Sequence, residues 1–315
     1  MTGGTGFIGS RVVGLGKEIG AHLYVPTRNL HAAGDACFAA DLTEDAQVVD
    51  FVRRIQPQGV IHLAGDGASH LPTSLANLLR VNVVGLNNLL TALALLVPGS
   101  PVVVAGSGAE YGPKADLSEE GDPLLPGSAY GISKAAASML ALSYSSRLAI
   151  VVLRIFNVFG PGEKEPRLLP SIVKGALAGQ PVLLTHGAQL RDYSYSDDIA
   201  MSLWLSLTCA PLRCSPVINV GSGRLISIKD FANRVVDALD SAGLQVALQF
   251  GGIPYARDEQ MLYAPHIEKM NRVLGWQPDT PIGEALRQSV DLYVAAWRQN
   301  QTASVQFSRA EDGRR

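Results

Sequence analysis

Nine residues at the amino end constrain this chain more than any other stretch. They read Met1-Thr-Gly-Gly-Thr-Gly-Phe-Ile-Gly9. Gly3, Gly6 and Gly9 have the spacing of a turn that leads from a strand into a helix. The first glycine allows the sharp bend, the second lets an anion come close to the backbone, and the third lets the helix pack against the sheet. The N–H groups of Phe7, Ile8 and Gly9 then open a helix whose positive end suits a pyrophosphate. Such a turn follows a buried strand of about five or six residues, yet only Met1 and Thr2 precede Gly3. The first strand is therefore expected to be truncated, with the true start upstream of Met1. Each buried main-chain group left without a partner costs about 1–3 kcal/mol, and several together rival a domain's stability of about 5–15 kcal/mol.

A chain of 315 residues suffices for one large α/β domain or two lobes. Apolar residues make up 47% and charged ones 17%, which fits a soluble protein with an ample core. The net charge of −2 gives no footprint for nucleic acid. The apolar run Leu86–Val97 is too short to span a bilayer, and no signal peptide precedes the turn. A cytoplasmic protein without membrane or nucleic-acid partners is the expectation. Cys37, Cys209 and Cys214 have neither a disulfide framework nor metal-ligand spacing, so no metal is expected.

Along the first half, short β-rich runs alternate with helical patterns, as in a doubly wound parallel sheet. Strands are expected at His22–Pro26, Cys37–Ala40, Gly59–Ala64, Val102–Ala105 and Ile150–Ile155. Helices are expected at Ser10–Ile19, Glu44–Ile55, Leu75–Leu96 and Ala129–Arg147. Past Gly160 the pattern becomes looser, with helices at Ile172–Ala178, Ile228–Asp240 and Gly283–Arg298 and strands at Pro181–Leu184 and Ile218–Val220. The division expected is a dinucleotide-binding domain over residues 1–160, a smaller α/β lobe over 161–298 with some segments returning to the sheet, and a disordered tail over 299–315.

Tyr130 and Lys134 lie four apart at the start of a helix and so share one face. By themselves they fit packing and solvation as well as chemistry. Their order after the glycine turn and after Ser107, at the end of an expected strand, is more specific. Here the chain resembles the extended short-chain dehydrogenase/reductase family of NAD-dependent epimerase/dehydratase type, whose members modify nucleotide sugars. The resemblance runs from Thr2 to about Trp297. It implies a Rossmann-like fold and three catalytic residues. Tyr130 would be the general acid or base, Lys134 would lower the phenol's pKa and hold the nicotinamide ribose, and Ser107 would bond the same substrate oxygen.

Further motifs point the same way. His62-Leu63-Ala64-Gly65 resembles the family's fourth-strand motif beside the cofactor, and Asn82 its central-helix asparagine. Asp41-Leu42 matches the pair that meets the adenine. On the substrate side, Arg154-Ile-Phe-Asn157 resembles the segment whose asparagine approaches the sugar diphosphate. Arg191, in Arg-Asp-Tyr-Ser-Tyr-Ser-Asp-Asp198, and Arg257 are implied phosphate or ribose contacts, a task suited to the planar guanidinium fork. The partner so implied is a nucleoside-diphosphate sugar, and a homodimer is common in the family.

Departures from the family narrow the chemistry. Its 4,6-dehydratases follow the serine or threonine with an Asp-Glu pair, whereas here Gly108 and Ala109 stand there. Glu110 is displaced by one and would point away on an extended segment. The combined epimerase-reductases carry a cysteine where this chain has Ala109. After the second strand, Thr27 and Arg28 replace the usual acidic residue, which favours NADP(H) over NAD(H). The first expectation is a 4-keto-6-deoxy sugar nucleotide reductase with Tyr130 as proton donor. A sugar-nucleotide 4-epimerase with bound NAD is the second, and a non-catalytic dinucleotide sensor or scaffold the third.

Overall fold

The computed structural model describes residues 1–28, 37–67, 73–208 and 216–312, with side chains as far as residue 299. Helix α1 (Phe7–Glu18) opens directly from the glycine turn. Next come β1 (Val25–Thr27), β2 (Cys37–Ala39), α2 (Asp45–Ile55) and β3 (Val60–His62). Helix α3 (Leu75–Leu79) passes through a π-helical turn, Arg80–Val84, into α4 (Gly85–Leu96). Strand β4 (Pro101–Ser107) ends in a 3-10 turn, Gly108–Glu110, ahead of α5 (Ala129–Ser143) and β5 (Ala149–Ile155). The chain continues through β6 (Asn157–Phe159), α6 (Leu168–Ala178), β7 (Val182–Leu184), β8 (Leu190–Tyr195) and α7 (Ser196–Thr208). Then follow β9 (Val217–Val220), β10 (Leu225–Ser227), α8 (Ile228–Ser241) and β11 (Leu248–Phe250). Last are β12 (Leu262–Tyr263), α9 (Glu268–Leu274) and α10 (Ile282–Asp312).

Two compact units result, both assembled from separated stretches. The first comprises residues 1–158, 190–225 and 260–279, and the second residues 159–189, 226–259 and 280–315. In the first, β3, β4, β5 and β9 form a parallel sheet in that order. Its side chains alternate between two cores. Val102, Val104, Ile150 and Val152 face Phe51, Leu89 and Leu93 on α2 and α4. Val103, Val151 and Leu153 face Val12, Ile199 and Leu203 on α1 and α7. Burial on both faces explains why these strands read as unbroken Val/Ile/Leu runs. In the second unit, β7 and β11 pair in parallel and α8 packs against α6 and α10.

The expected strand and helix positions recur with shifted ends, and four differences carry information. At the place of the first strand, Met1–Thr2 make a single isolated parallel bridge, Thr2 with His62. The helix over Leu75–Leu96 is long and apolar enough to cross a membrane, beyond the shorter run Leu86–Val97. Its Leu86, Leu89, Leu90 and Leu93 are buried in the sheet's core. Helix α10 runs past Arg298 to Asp312, into the stretch expected to be disordered. No Pro or Gly interrupts residues 299–312. Finally, α7, β8 and α9 emerge from a region whose polar and apolar residues show no clean period. Cys37 is a free, half-buried thiol; Cys209 and Cys214 lie outside the described residues.

Candidate active site

The three glycines of the turn have distinct steric surroundings. A Cβ on Gly3, whose φ is +70°, would stand 2.6 Å from Ala64 N and Leu63 C. On Gly9 it would stand 2.0 Å from the carbonyl oxygen of Gly3. On Gly6 it would meet only that same oxygen, at 3.2 Å. Gly3 and Gly9 are thus held by packing, while Gly6 leaves an open face at the N-cap of α1. No side chain caps that end, so the first N–H groups, of Phe7, Ile8 and Gly9, present an anion-binding edge. This open cradle fits a dinucleotide's pyrophosphate. The turn is fixed from behind by the ion pair of Arg11 with Asp197, which ties α1 to α7. Trp204 Nε1 adds a bond to the Val12 carbonyl, 3.0 Å.

Thr2 connects the turn to β3. Its hydroxyl lies 2.9 Å from His62 Nδ1 and accepts from Ala64 N at 3.2 Å. His62 is buried, and its pKa is pushed down to about 3 by burial, then by the charges of Lys134 and of the chain's amino terminus. It is therefore a neutral structural histidine, and the Lys134 charge stands within its reach.

Lys134 is itself nearly buried and donates to the Ala105 carbonyl of β4. Tyr130 is half-buried, and a Cβ on Gly67 would lie 3.0 Å from its ring. Asn82 joins the loop after β3 to α5. It accepts from Asp66 N at 2.7 Å and donates to the Asp66 carbonyl at 3.0 Å and to Ser133 Oγ at 2.9 Å. It sits in the π-helical turn, a distortion frequent at functional sites. Gly65 is pressed against it, since a Cβ there would stand 3.2 Å from Asn82 Oδ1. The structure thus brings Gly3, Leu63, Ala64, Gly65, Asn82, Tyr130 and Lys134 around the carboxyl ends of β3 and β4.

Ser107 closes β4, and its hydroxyl accepts from Ala109 N at 3.2 Å. The segment after it is a 3-10 turn rather than extended, which corrects the expected direction of Glu110. That side chain turns inward and is fully buried. It accepts from Ser107 N and Ser138 Oγ, both 2.8 Å, and from Arg154 Nε at 2.9 Å. Arg154 also donates to Tyr111 Oη at 2.8 Å, which donates to Asn219 Oδ1 at 2.7 Å. Sequence reasoning missed this network, although Glu110 and Arg154 both lay inside quoted motifs.

The remaining residues are spread more widely. Asp41 accepts from Thr43 N and Oγ1, each 2.9 Å, just before α2. Those bonds, the backbone one first, and the nearby charges of Arg28 and Arg80 hold its carboxyl below the usual range. Arg28 is exposed at the end of β1. Leu42 packs on Gly85, and its carbonyl accepts from Asn88 Nδ2 at 3.0 Å. Asn157 Nδ2 donates to the Asp192 carbonyl at 3.3 Å. Asp192, another residue missed, is buried and accepts from Ser222 N and Gly223 N, both 2.7 Å. Burial raises its pKa against those bonds. Arg191 donates to the Leu190 carbonyl at 2.9 Å. Arg257 is exposed in the second unit, after β11.

The sequence profile of the NAD dependent epimerase/dehydratase family matches residues 1–221. Among curated proteins, the dTDP-glucose 4,6-dehydratase of Streptomyces antibioticus is 28% identical, over 93% of this chain and 91% of its own. That of Neisseria gonorrhoeae is 27% identical, over 93% and 94%. Among solved structures, MoeE5 in complex with UDP-glucuronic acid and NAD has a TM-score of 0.80 at 28% identity, with 94% of this chain and 98% of that one covered. The UDP-glucose 4-epimerase of Thermus thermophilus, in complex with NAD, has a TM-score of 0.78 at 28% identity, with the same coverage.

Proposed function

Since this chain belongs to the NAD dependent epimerase/dehydratase family, we propose that it is a nucleoside-diphosphate-sugar 4-epimerase that retains NAD through its cycle. The observation that carries this reading is the segment after Ser107. Gly108 and Ala109 have no acid or base to offer, and the nearby carboxylate, Glu110, is bound to Arg154 inside the protein. This reading assigns oxidation and reduction at a sugar carbon to Ser107, Tyr130 and Lys134, and it finds no acid–base pair for eliminating water directly after Ser107. Hence the dehydratase activity named for the curated relatives does not carry over.

In this reading, the open face at Gly6 and the N-terminus of α1 hold the dinucleotide's pyrophosphate, and Asn82 keeps the neighbouring loop in place. NAD held there would supply reversible hydride transfer at C4, taking the hydride from that carbon and giving it back. Tyr130 Oη takes the proton of the C4 hydroxyl and gives it back, with Lys134 one helical turn away on the same face. Ser107 Oγ donates to the same oxygen as charge develops. Asn157 and Arg191, both in the first unit, bind the sugar nucleotide.

The 4-keto reductase expected from the sequence is the second reading, favoured by exposed Arg28 as a partner for a 2′-phosphate. Mass spectrometry of the purified protein separates the two. Co-purified NAD, with UDP-glucose epimerised without added reductant, supports the epimerase. An empty protein that consumes NADPH with a 4-keto sugar nucleotide supports the reductase. Under either reading Tyr130→Phe lowers kcat by about 10²–10⁴ with cofactor affinity unchanged. A variant that keeps full turnover removes Tyr130 from the chemistry.

A further inference from the structure

Two main-chain groups at the end of β4 are held by side chains. Lys134 donates to the Ala105 carbonyl, and the Ser107 N–H donates to Glu110 Oε1 at 2.8 Å. Gly106, between them, leaves the room that the carboxylate fills, since a Cβ there would stand 2.7 Å from the same oxygen. Oε1 also accepts from Ser138 Oγ at 2.8 Å. Ser138 follows Lys134 by four residues and Tyr130 by eight, so the three recur along one side of α5. A second contact lies two turns back, where a Cβ on Gly131 would stand 2.5 Å from the Ala109 carbonyl oxygen. The turn after Ser107 is thus fitted at two points to the helix of Tyr130 and Lys134, and Glu110 makes one of them.

Neither the turn nor its stability calls for a charge here. A capping box over a three-residue 3-10 turn is served equally by glutamine. A buried ion pair seldom outdoes apolar residues of the same shape. What a carboxylate adds is acceptor capacity on both oxygens. Oε1 takes two donors, and Oε2 takes Arg154 Nε at 2.9 Å. Arg154 is held in turn by Tyr111, whose Oη accepts at 2.8 Å and whose ring centre lies 4.6 Å from the guanidinium. Tyr111 Oη donates to Asn219 on β9 at 2.7 Å, which fixes the chain of contacts from the far side. Ser107 Oγ accepts from Ala109 N at 3.2 Å, and its O–H is left to donate.

We infer that Glu110 is a positioning residue: its carboxylate, oriented by Arg154, sets the Ser107 turn against the side of α5 that carries Tyr130 and Lys134, so that the Ser107 hydroxyl and the Tyr130 phenol meet one substrate oxygen. The inference rests on the roles given above to Ser107 and Tyr130, and it is the same for an epimerase and a reductase. Glu110 itself touches no substrate and moves no proton.

Two double variants test it. Glu110→Leu with Arg154→Met removes both charges and the bond to Ser107 N. Glu110→Gln with Arg154→Gln removes both charges and keeps the bonds, because the amide at 154 puts an oxygen where Arg154 Nε stood and the amide at 110 keeps an oxygen toward Ser107 N. In the Leu/Met chain, amide exchange at Ser107 and Ala109 should quicken by about tenfold or more. Its kcat should fall by about 10²-fold, with KM for the sugar nucleotide changed by less than about twofold. The Gln/Gln chain should recover exchange and kcat to within about threefold of the 315-residue protein. Ser107→Ala should cost about 10²-fold in kcat in the 315-residue protein, and less than about threefold more in the Leu/Met chain, where the serine is already displaced. Equal exchange rates in all three chains would overturn the inference. So would equal kcat in the two double variants, or a Ser107→Ala loss as large in the Leu/Met chain as in the 315-residue protein. Turnover is followed both as epimerisation of UDP-glucose and as reduction of a 4-keto sugar nucleotide by NADPH. If the 315-residue protein does neither, the functional reading fails, and the exchange rates alone decide whether Glu110 sets the turn.

Discussion

Two glutamates are buried among the described residues, one in each unit, and their surroundings are opposite. Glu110, at the end of β4, has Arg154 at 2.9 Å on one oxygen and the Ser107 N–H and Ser138 hydroxyl on the other. Glu163, in the second unit, has Arg167 at 3.6 Å on one oxygen, and no hydrogen-bond partner reaches its Oε2. Burial pushes Glu163 up to about 8 against the Arg167 charge. The comparison teaches that burial alone does not determine a carboxyl's role. A saturated carboxylate becomes scaffold for Ser107, while an undersupplied one is held as a neutral acid.

The largest effect should come from breaking the saturated site. Glu110→Ala leaves Arg154 buried without its counter-charge and is expected to cost about 3–5 kcal/mol in urea unfolding. The double variant Glu110→Leu with Arg154→Met should recover most of that loss, because both charges leave together. If Glu110→Ala proves no costlier than Glu163→Ala, the contrast between the sites fails.

The next effect is the pH dependence of Glu163. Its carboxyl is raised from an unfolded value of 4.5 to about 8, so the folded state binds the extra proton between those values. Its contribution is full below about 4.5 and is lost as pH rises through 8. Glu163→Gln should remove that part of the alkaline decline in the unfolding midpoint between pH 5 and 8.5. An identical decline in the variant would place the titrating group elsewhere.

His62 sharpens the comparison with the opposite sign. Its pKa is lowered from 6.5 to about 3, so the unfolded chain binds the proton first as pH falls. Stability is full above about 6.5 and is lost toward pH 3, and the Met1 amine adds to this between about 8 and 6. Isothermal denaturation at pH 7 and pH 5 should show the loss, and His62→Leu should flatten it. The smallest effect belongs to a solvent-facing pair. Asp50→Ala removes the 2.9 Å contact with Arg54, both partners more than half exposed, and should change stability by no more than about 0.5 kcal/mol.

Much of the site was legible in the chain because its signals are local. The turn depends on the φ values open to glycine and on the absence of a Cβ, as Gly3 and Gly9 show. The pairing of Tyr130 with Lys134 follows from helical geometry, and the buried strands follow from unbroken β-branched runs. Glu110 was misread because the turn after Ser107 is a 3-10 turn capped by that same glutamate, whose side chain accepts from the Ser107 N–H. Such a fold-back cannot be told from an extended segment by composition.

The sequence by itself determined the turn, the order of strands and helices in the first half, and the spacing of Tyr130 and Lys134. Each depends on conformations and periods set within a few residues. Only the tertiary structure decided that Glu110 meets an arginine 44 positions away. It also decided that Asp192 anchors the loop after β9, that each unit is built from three separated stretches, and that a cavity of about 790 Å³ lies beside Thr2. Charge partners and burial depend on which distant segments pack together, and packing is a property of the whole fold rather than of any window of sequence.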